Sequence, residues 1–285
     1  MTNKGGPRLR ERPVSERIGW EFTGGGVAAA YERYIMAPFG NAWAQALAQL
    51  AAPEDGDRVL DLACGTGAVA RYTAPLVGAA GRVVGVDINV AMIDVARAIA
   101  APEGAAIEWR QADAMALPFP DASFDLVCCQ QGLQFFTDRP AALGEMFRVL
   151  VPGGRLAIAV WRGLAHQPFY NAVAEALDRH VGPEPAERLR AAFALADAAE
   201  LRSLVGDAGF RNVHIRIRSR LTRYPSLPDF VQGYVSGTPL SGAVAAVDEA
   251  ARRAMVEHVC AALRDHVDDD GMAAPWEAHL VTAHT

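Results

Sequence analysis

Short apolar runs alternate along this chain with stretches in which apolar residues recur every three or four positions. The first pattern suits a strand buried on both faces, and the second a helix with one buried face. Strands are predicted at Val59–Leu62, at Arg82 to Asp87, from Ile107, across Ser123–Gln131 and at Arg155 to Trp161. Between them, Ala68, Val69, Ala70 and Tyr72 begin one helix, and Met92, Ile93, Val95, Ala96 and Ile99 mark a second, which Asn89 can cap. Asp138, followed by Pro140, can start a third through Leu143, Met146, Phe147 and Leu150. Strand and helix in strict alternation predict an α/β domain, a mostly parallel sheet with helices on both faces.

The flanks read differently. Val27 to Leu50 is helical in two series, with Pro38-Phe39-Gly40 separating them. Beyond the fifth strand, Pro168 to Val181 and Glu184 to Ala194 are predicted helices, and Asp197 to Ala208 is a helix closed by Gly209. Asn212 to Leu221 reads as a strand, Leu227 to Val267 as mostly helical, and Glu277 to Ala283 as a final strand. On the strand from Asn212, Arg216, Arg218 and Arg220 fall on one face, which suits a charged outer face guarding an exposed edge better than a patch for an anionic substrate.

The junction after the first strand, Asp61-Leu62-Ala63-Cys64-Gly65-Thr66-Gly67, carries the chemistry. Strand, glycine turn and helix together aim backbone N–H groups at a nucleotide-like ligand. Gly65 and Gly67 let the backbone turn sharply and come close to that ligand. Gly65-x-Gly67-x-x-Ala70 also fits the dinucleotide fingerprint, so the turn alone leaves a nicotinamide cofactor open. Asp61 bears on this choice, because a buried carboxylate needs partners. It must be satisfied by N–H groups of the turn or face a ligand's ammonium, and it would repel a pyrophosphate. Asp87, 22 residues after Gly65, stands near the spacing at which an acid meets ribose hydroxyls.

Five segments in order resemble the class I S-adenosylmethionine (SAM)-dependent methyltransferases, in their ubiquinone/menaquinone-biosynthesis-like branch. They are Val59–Gly67, Arg82–Asp87, Ile107–Ala114 with Leu117-Pro118-Phe119, Ser123–Gln131, and Arg148–Leu156 with its Pro152-Gly153-Gly154 turn. The resemblance implies a Rossmann-like sheet of seven strands with the last antiparallel, and SAM as cofactor. It implies that Asp113 meets the adenine amino group, that Ala114 offers its N–H to the ring and that Gln130 touches the methionine part. The expected cofactor-binding set is Asp61, Ala63, Gly65, Gly67, Asp87, Ile88, Met92, Asp113, Ala114 and Gln130. A SAM-binding protein of this fold without methyl transfer, or an NAD(P)-dependent oxidoreductase, are the competing readings.

Placement along the fold divides residues 18–285 into one methyltransferase domain after a disordered tail at 1–17. An N-terminal helical lid spans 18–50, the SAM-binding core 51–161 and a helical insertion 162–196. A core helix and strand follow at 197–225, a second lid insertion at 226–275 and the final strand at 276–285. Ligands of open α/β sheets bind beyond the carboxyl ends of the strands, so the lid segments should converge over the methyl donor. Such an enclosure suits a small, largely apolar or aromatic metabolite. Tyr31, Tyr34, Gln131, Phe135, Phe230 and Tyr234 are the expected substrate or lid residues. Phe169, Tyr170, Phe193, Pro239 and Met255 add to an apolar lining. Alignment and water exclusion dominate methyl transfer. A base is optional, and Gln131, Gln134 and His166 are the weak candidates for a catalytic role.

Charge and cysteine content narrow the partners. A net charge of −6 argues against a nucleic-acid substrate. Cys64, Cys128, Cys129 and Cys260 form no C-x-x-C pair and have no histidine at ligand spacing, so reduced thiols and no metal are expected. No apolar run reaches the roughly 18 residues of a membrane span, and the polar N-terminus has no signal core, which predicts a cytoplasmic protein. Monomer and homodimer both stay open.

Overall fold

The computed structural model describes Phe22 and residues 25–285; the tail expected at 1–17 lies outside the described residues. Among the described residues eight strands form one sheet: β1 (Arg58–Leu62), β2 (Arg82–Asp87), β3 (Ile107–Gln111), β4 (Phe124–Gln130), β5 (Leu150–Trp161), β6 (Arg211–Tyr224), β7 (Val267–Asp268) and β8 (Gly271–His284). Their order is β3-β2-β1-β4-β5-β8-β6, with β7 paired to β8. The first five run parallel, and β8 runs antiparallel to β5 and β6. Seven strands were expected. The eighth, β7, is two residues long and turns into β8 at Gly271, whose φ of 100° suits glycine. No alternation can show in two residues.

β6 and β8 are each 14 residues long, well past the predicted Asn212–Leu221 and Glu277–Ala283. Pro275 hid the extension, since proline inside a strand argues against one. It is tolerated because β8 pairs with β5 only from Ala278 onward, so beside Pro275 the only neighbour is β6. β6 is the sheet edge, with Arg216 and Arg218 exposed along it.

Two further expectations are corrected. Pro38 does not separate two helices: Gly25–Tyr31, Glu32–Gly40 and Asn41–Ala51 run on without a break, the middle part widened to π-helical bonding. A widened turn accommodates a residue that has no N–H to donate and whose ring crowds the preceding turn. Asn89 stands at the N-cap of Val90–Ala98 but makes no side-chain cap; its amide is drawn instead to the Asp87 carboxylate. Asp138 does cap Arg139–Val149 through the Ala141 N–H, and Asp197 caps Ala198–Asp207.

The core has three parts. One face of the sheet packs Leu60, Val84 and Ile158 against Leu143, Met146, Leu201 and Val205. The other packs Val59, Val83 and Leu126 against Ala44, Leu47, Val69 and Ala74. The third joins the N-terminal helices to the two later insertions around Trp276, which stacks on Phe39 at 4.5 Å and meets Tyr170 edge-on at 4.7 Å.

The glycine turn is held from the side by Trp109 of β3. A Cβ built on Gly67 (φ 84°) would lie 2.1 Å from the Trp109 ring, and one on Gly85 would lie 2.4 Å from it. Gly67→Ala is therefore expected to cost about 2 kcal/mol or more in urea unfolding. Trp109→Leu in the same chain should recover part of that loss, so the double variant will be more stable than the sum of the single effects. Additive losses would show that the ring is not what the added methyl group strikes.

Candidate active site

Between β1 and β4 the sheet reverses its direction of growth, with β2 and β3 on one side and β5 on the other. Open α/β sheets leave a crevice at such a point, beyond the carboxyl ends of the strands. Here it is a cavity of about 210 Å³. The first residues past the two central strands, Ala63 (φ 54°) and Gln131 (φ 53°), both adopt left-handed backbone and both line it. Such conformations cost on the order of 1–3 kcal/mol each and cluster at functional sites.

Asp87 organises the near wall. One carboxylate oxygen accepts the Gly65 N–H at 2.8 Å, and the other accepts the Asn89 backbone N–H at 2.8 Å and its side-chain amide at 3.2 Å. Burial pushes this carboxyl above its ordinary value, and the same N–H groups oppose the shift. Gly65 faces open space, with nothing within 4 Å of where a Cβ would stand. Across the cavity, Asp113 turns its own loop by accepting the Met115 N–H at 2.9 Å. Ile88 is an apolar side chain left 58% exposed beside Asp87.

An inner chamber of about 80 Å³ adjoins this cavity and shares Phe22, Tyr31, Gln130, Gln131 and Phe135 with it. Its walls come from the N-terminal helices (Ile35, Met36, Phe39, Trp43), from the end of β5 and the following insertion (Trp161, Tyr170, Phe193) and from the later insertion (Tyr234, Thr238). No carboxylate, histidine, lysine or arginine lines it among the described residues. Burial pushes the phenols of Tyr31, Tyr170 and Tyr234 up, so at neutral pH they keep their protons.

Ala63, Gly65, Asp87, Ile88, Met92, Asp113, Ala114 and Gln130 all line the outer cavity, as do Tyr31, Gln131 and Phe135. Tyr234 lines the inner chamber. Asp61 and Gly67 line neither; Asp61 is buried beneath the turn and Gly67 is buried within it. Tyr34 lines neither cavity and packs against Gly233 of the later insertion. Phe230 is fully buried in the aromatic core, and Gln134 is buried with its amide donating to the Gln131 side-chain oxygen at 3.0 Å. His166 is exposed, 3.9 Å from Glu277, and lines neither cavity. Of the further apolar candidates only Tyr170 and Phe193 reach the chamber. Trp43, Trp161, Met115 and Thr137 line the two spaces without having been singled out. Trp43 lies within the helical stretch predicted from Val27 to Leu50, where apolar spacing marks burial without distinguishing a core from a cavity wall.

The cysteines are free; Cys128 and Cys129 are buried. Burial pushes the Cys129 thiol up to about 12, which suits packing and not reactivity. Among the described residues no group of His, Cys, Asp and Glu could hold a metal, and no helix is long and apolar enough to cross a membrane.

A methyltransferase-domain family matches residues 59–154. The ubiquinone/menaquinone biosynthesis C-methyltransferase UbiE of Cronobacter sakazakii is 37% identical over 172 residues, covering 56% of this chain and 68% of the relative. The chain belongs to the UbiE-like branch of the class I SAM-dependent methyltransferases. A 2-phytyl-1,4-naphtoquinone methyltransferase of Synechococcus elongatus is 42% identical over 118 residues, which cover 41% of this chain and about half (51%) of that relative. The solved structure of YcgJ from Bacillus subtilis shares the fold, with a TM-score of 0.56 and 20% identity over 86% of this chain and 98% of that one. Membership of the methyltransferase family sets aside the nicotinamide reading of the glycine turn, and SAM is the cofactor.

Asp61 has a cost in this methyltransferase. It is 1% exposed; one oxygen accepts the Ala70 N–H at 2.8 Å and the other has no partner among the described residues. Burial pushes the carboxyl up to about 7, against the Ala70 N–H, with Asp87 adding to the rise and Arg71 opposing it. The unfolded chain ionises this group near 4, so folding is favoured below that pH and loses stability as pH rises through about 7. Relative to Asp61→Asn, the ligand-free wild type should lose on the order of 5–10 °C in Tm between pH 4 and 8. Parallel melting curves would show that the folded protein ionises Asp61 without cost.

Proposed function

We propose that this methyltransferase acts on a small, apolar, aromatic acceptor enclosed in the inner chamber, and that the methyl group goes to a ring carbon. The observation that carries this reading is the chamber itself: an aromatic space adjoining the outer cavity at Gln130 and Gln131, with no base in its wall among the described residues. A hydroxyl acceptor draws on a protein base to remove its proton. An electron-rich ring attacks through carbon as the bond from sulfur to the methyl group breaks, and then loses its ring proton to solvent without a dedicated protein base. The names of the matched relatives, a C-methyltransferase and a naphtoquinone methyltransferase, point the same way.

The residues of the outer cavity fit SAM. The open space at Gly65 and the backbone at Ala63 suit the methionine end, with Gln130 beside it. Asp87 has lone pairs to spare for ribose hydroxyls, and exposed Ile88, with Met92, Ala114 and Asp113, would hold the adenine. Bound there, SAM supplies a methyl group on a positively charged sulfur. The chain's own contribution is alignment and exclusion of water, for which orientation alone can be worth about 7–11 kcal/mol. The N-terminal helices and both insertions provide it by closing over the chamber. Asp61 acts from beneath, holding the first turn of the following helix through the Ala70 N–H.

Two measurements test this. Asp87→Ala should weaken S-adenosylhomocysteine binding more than tenfold in calorimetry, because it removes both the ribose contact and the partner of the Gly65 N–H; unchanged affinity would remove Asp87 from the cofactor site. With labelled SAM, the purified enzyme should methylate alkylated hydroquinones and naphthols at carbon. Label found only in tRNA or protein would overturn the enclosed-acceptor reading.

A further inference from the structure

The loop between β3 and β4 (112–123) holds no helix or strand, so no ladder of backbone bonds fixes its path. Ala112, Asp113, Ala114 and Met115 at its start line the outer cavity. Its second half is held by one side chain from outside the site. Arg148, in the last turn of the helix Arg139–Val149, lines neither cavity. All five of its N–H donors are engaged. Nε donates to Glu145 Oε1 and Nη2 to Glu145 Oε2, both at 2.7 Å, a paired fork that fixes the plane of the guanidinium. Nη2 also donates to the Leu117 backbone oxygen at 3.2 Å, and Nη1 to the Phe119 backbone oxygen and Asp121 Oδ1, both at 2.8 Å. Glu145 closes the clasp by accepting the Leu117 N–H at 2.7 Å. The Ala122 and Ser123 N–H groups add bonds to the backbone oxygens of Arg148 and Val149. An exposed ion pair contributes little to stability. This one is half-buried and satisfies loop backbone groups as well, and Arg148 holds the Glu145 carboxyl below its usual range.

We infer that Arg148 is a positioning residue for the cofactor's base: by fixing Leu117 and Phe119 it sets where Asp113 and Ala114 stand, so that the choice of adenine over another purine depends on a side chain outside both cavities. This rests on the reading above that Asp113 and Ala114 hold the adenine. The path between clasp and base is short. Asp113 folds the start of the loop, its carboxylate accepting the Met115 N–H at 2.9 Å and its backbone oxygen the Ala116 N–H at 3.1 Å. The next residue is the clasped Leu117. Leu117 and Phe119 are themselves buried, Phe119 edge-on to Phe124 at 5.0 Å, so the loop cannot swing about the clasp. Adenine carries an amino donor at C6 and an acceptor at N1, which a carboxylate oxygen and a backbone N–H match. Hypoxanthine reverses both, so a loop held in place rejects it and a displaced loop does not tell the two apart. Lysine cannot replace Arg148, because an ammonium has three donors and no planar fork.

S-adenosylhomocysteine and S-inosylhomocysteine, which differ only in the base, test this by calorimetric titration of the full chain and its variants. The wild type should prefer the adenine ligand by about tenfold or more. Arg148→Lys should weaken S-adenosylhomocysteine by about 5–10-fold and leave S-inosylhomocysteine within about twofold. Glu145→Gln keeps the shape of its side chain and can still accept the Leu117 N–H, so it provides a test that does not depend on Arg148→Lys folding. It should lower the preference for adenine by about threefold, as one charged partner of the fork is lost. Equal weakening of both ligands in these variants, or of neither, would overturn the inference and leave Arg148 a clasp for the fold alone, with the adenine site intact. A wild type that binds both ligands equally well would remove Asp113 and Ala114 from the base, and this inference with them.

Discussion

Much of this site depends on one carboxylate. Asp87 ends β2 almost wholly buried, and its two oxygens gather the N–H of Gly65 from the turn after β1 and that of Asn89 from the start of the next helix. Two strands and two loops are thereby fixed to a single point at the mouth of the cavity. Burial raises the energy of the charged form, and those N–H groups compensate it only while the glycine turn keeps its left-handed path. The turn is constrained from the other side by Trp109, which occupies the space that side chains at Gly67 and Gly85 would need. Cofactor geometry and local packing therefore meet at this turn, and neither glycine can take a side chain unless Trp109 gives way.

Asp61 and Asp87 divide work that looks alike from the residues alone. Both are acids at the end of a buried strand. Asp87 reaches the cavity wall, whereas Asp61 is enclosed beneath the turn and fixes the helix that follows through the Ala70 N–H. The carboxyl of Asp61 is left half-satisfied, and its raised pKa is the thermodynamic trace of that. A site that must meet a zwitterionic, positively charged ligand retains negative groups that a ligand-free fold alone would not select.

Three separate stretches of chain build the acceptor side, and the aromatic cluster around Trp276 is what holds them together. Phe39, Phe169 and Tyr170 meet that indole from the N-terminal helices and the first insertion, while Phe230 and Tyr234 join from the second. The chamber is the space this cluster leaves unfilled next to Gln130 and Gln131. The cofactor cavity has Asp87 and Asp113 in an otherwise largely apolar wall, the chamber is mostly rings and apolar chains without a charged group among the described residues, and the left-handed Gln131 backbone stands at the boundary.

The sequence by itself determined the parallel core and the cofactor. Buried strands ending in Asp61 and Asp87, a glycine turn between them and the Asp113 loop are local signals, because each strand and its following turn are contiguous in the chain. Eight of the ten expected cofactor residues line the cavity for that reason, and the two that do not, Asp61 and Gly67, differ by depth, which no spacing reports. The tertiary structure decided everything set by long-range contact. The helix through Pro38 stays continuous, Pro275 is accepted where β8 has one neighbour, and Tyr31 faces the cavity while Tyr34 faces Gly233. It also separated Trp43, which lines the chamber, from Phe230, which is simply core. Apolar periodicity records that a side chain is buried; only the packed structure shows whether what it faces is another side chain or an empty space shaped for a ligand.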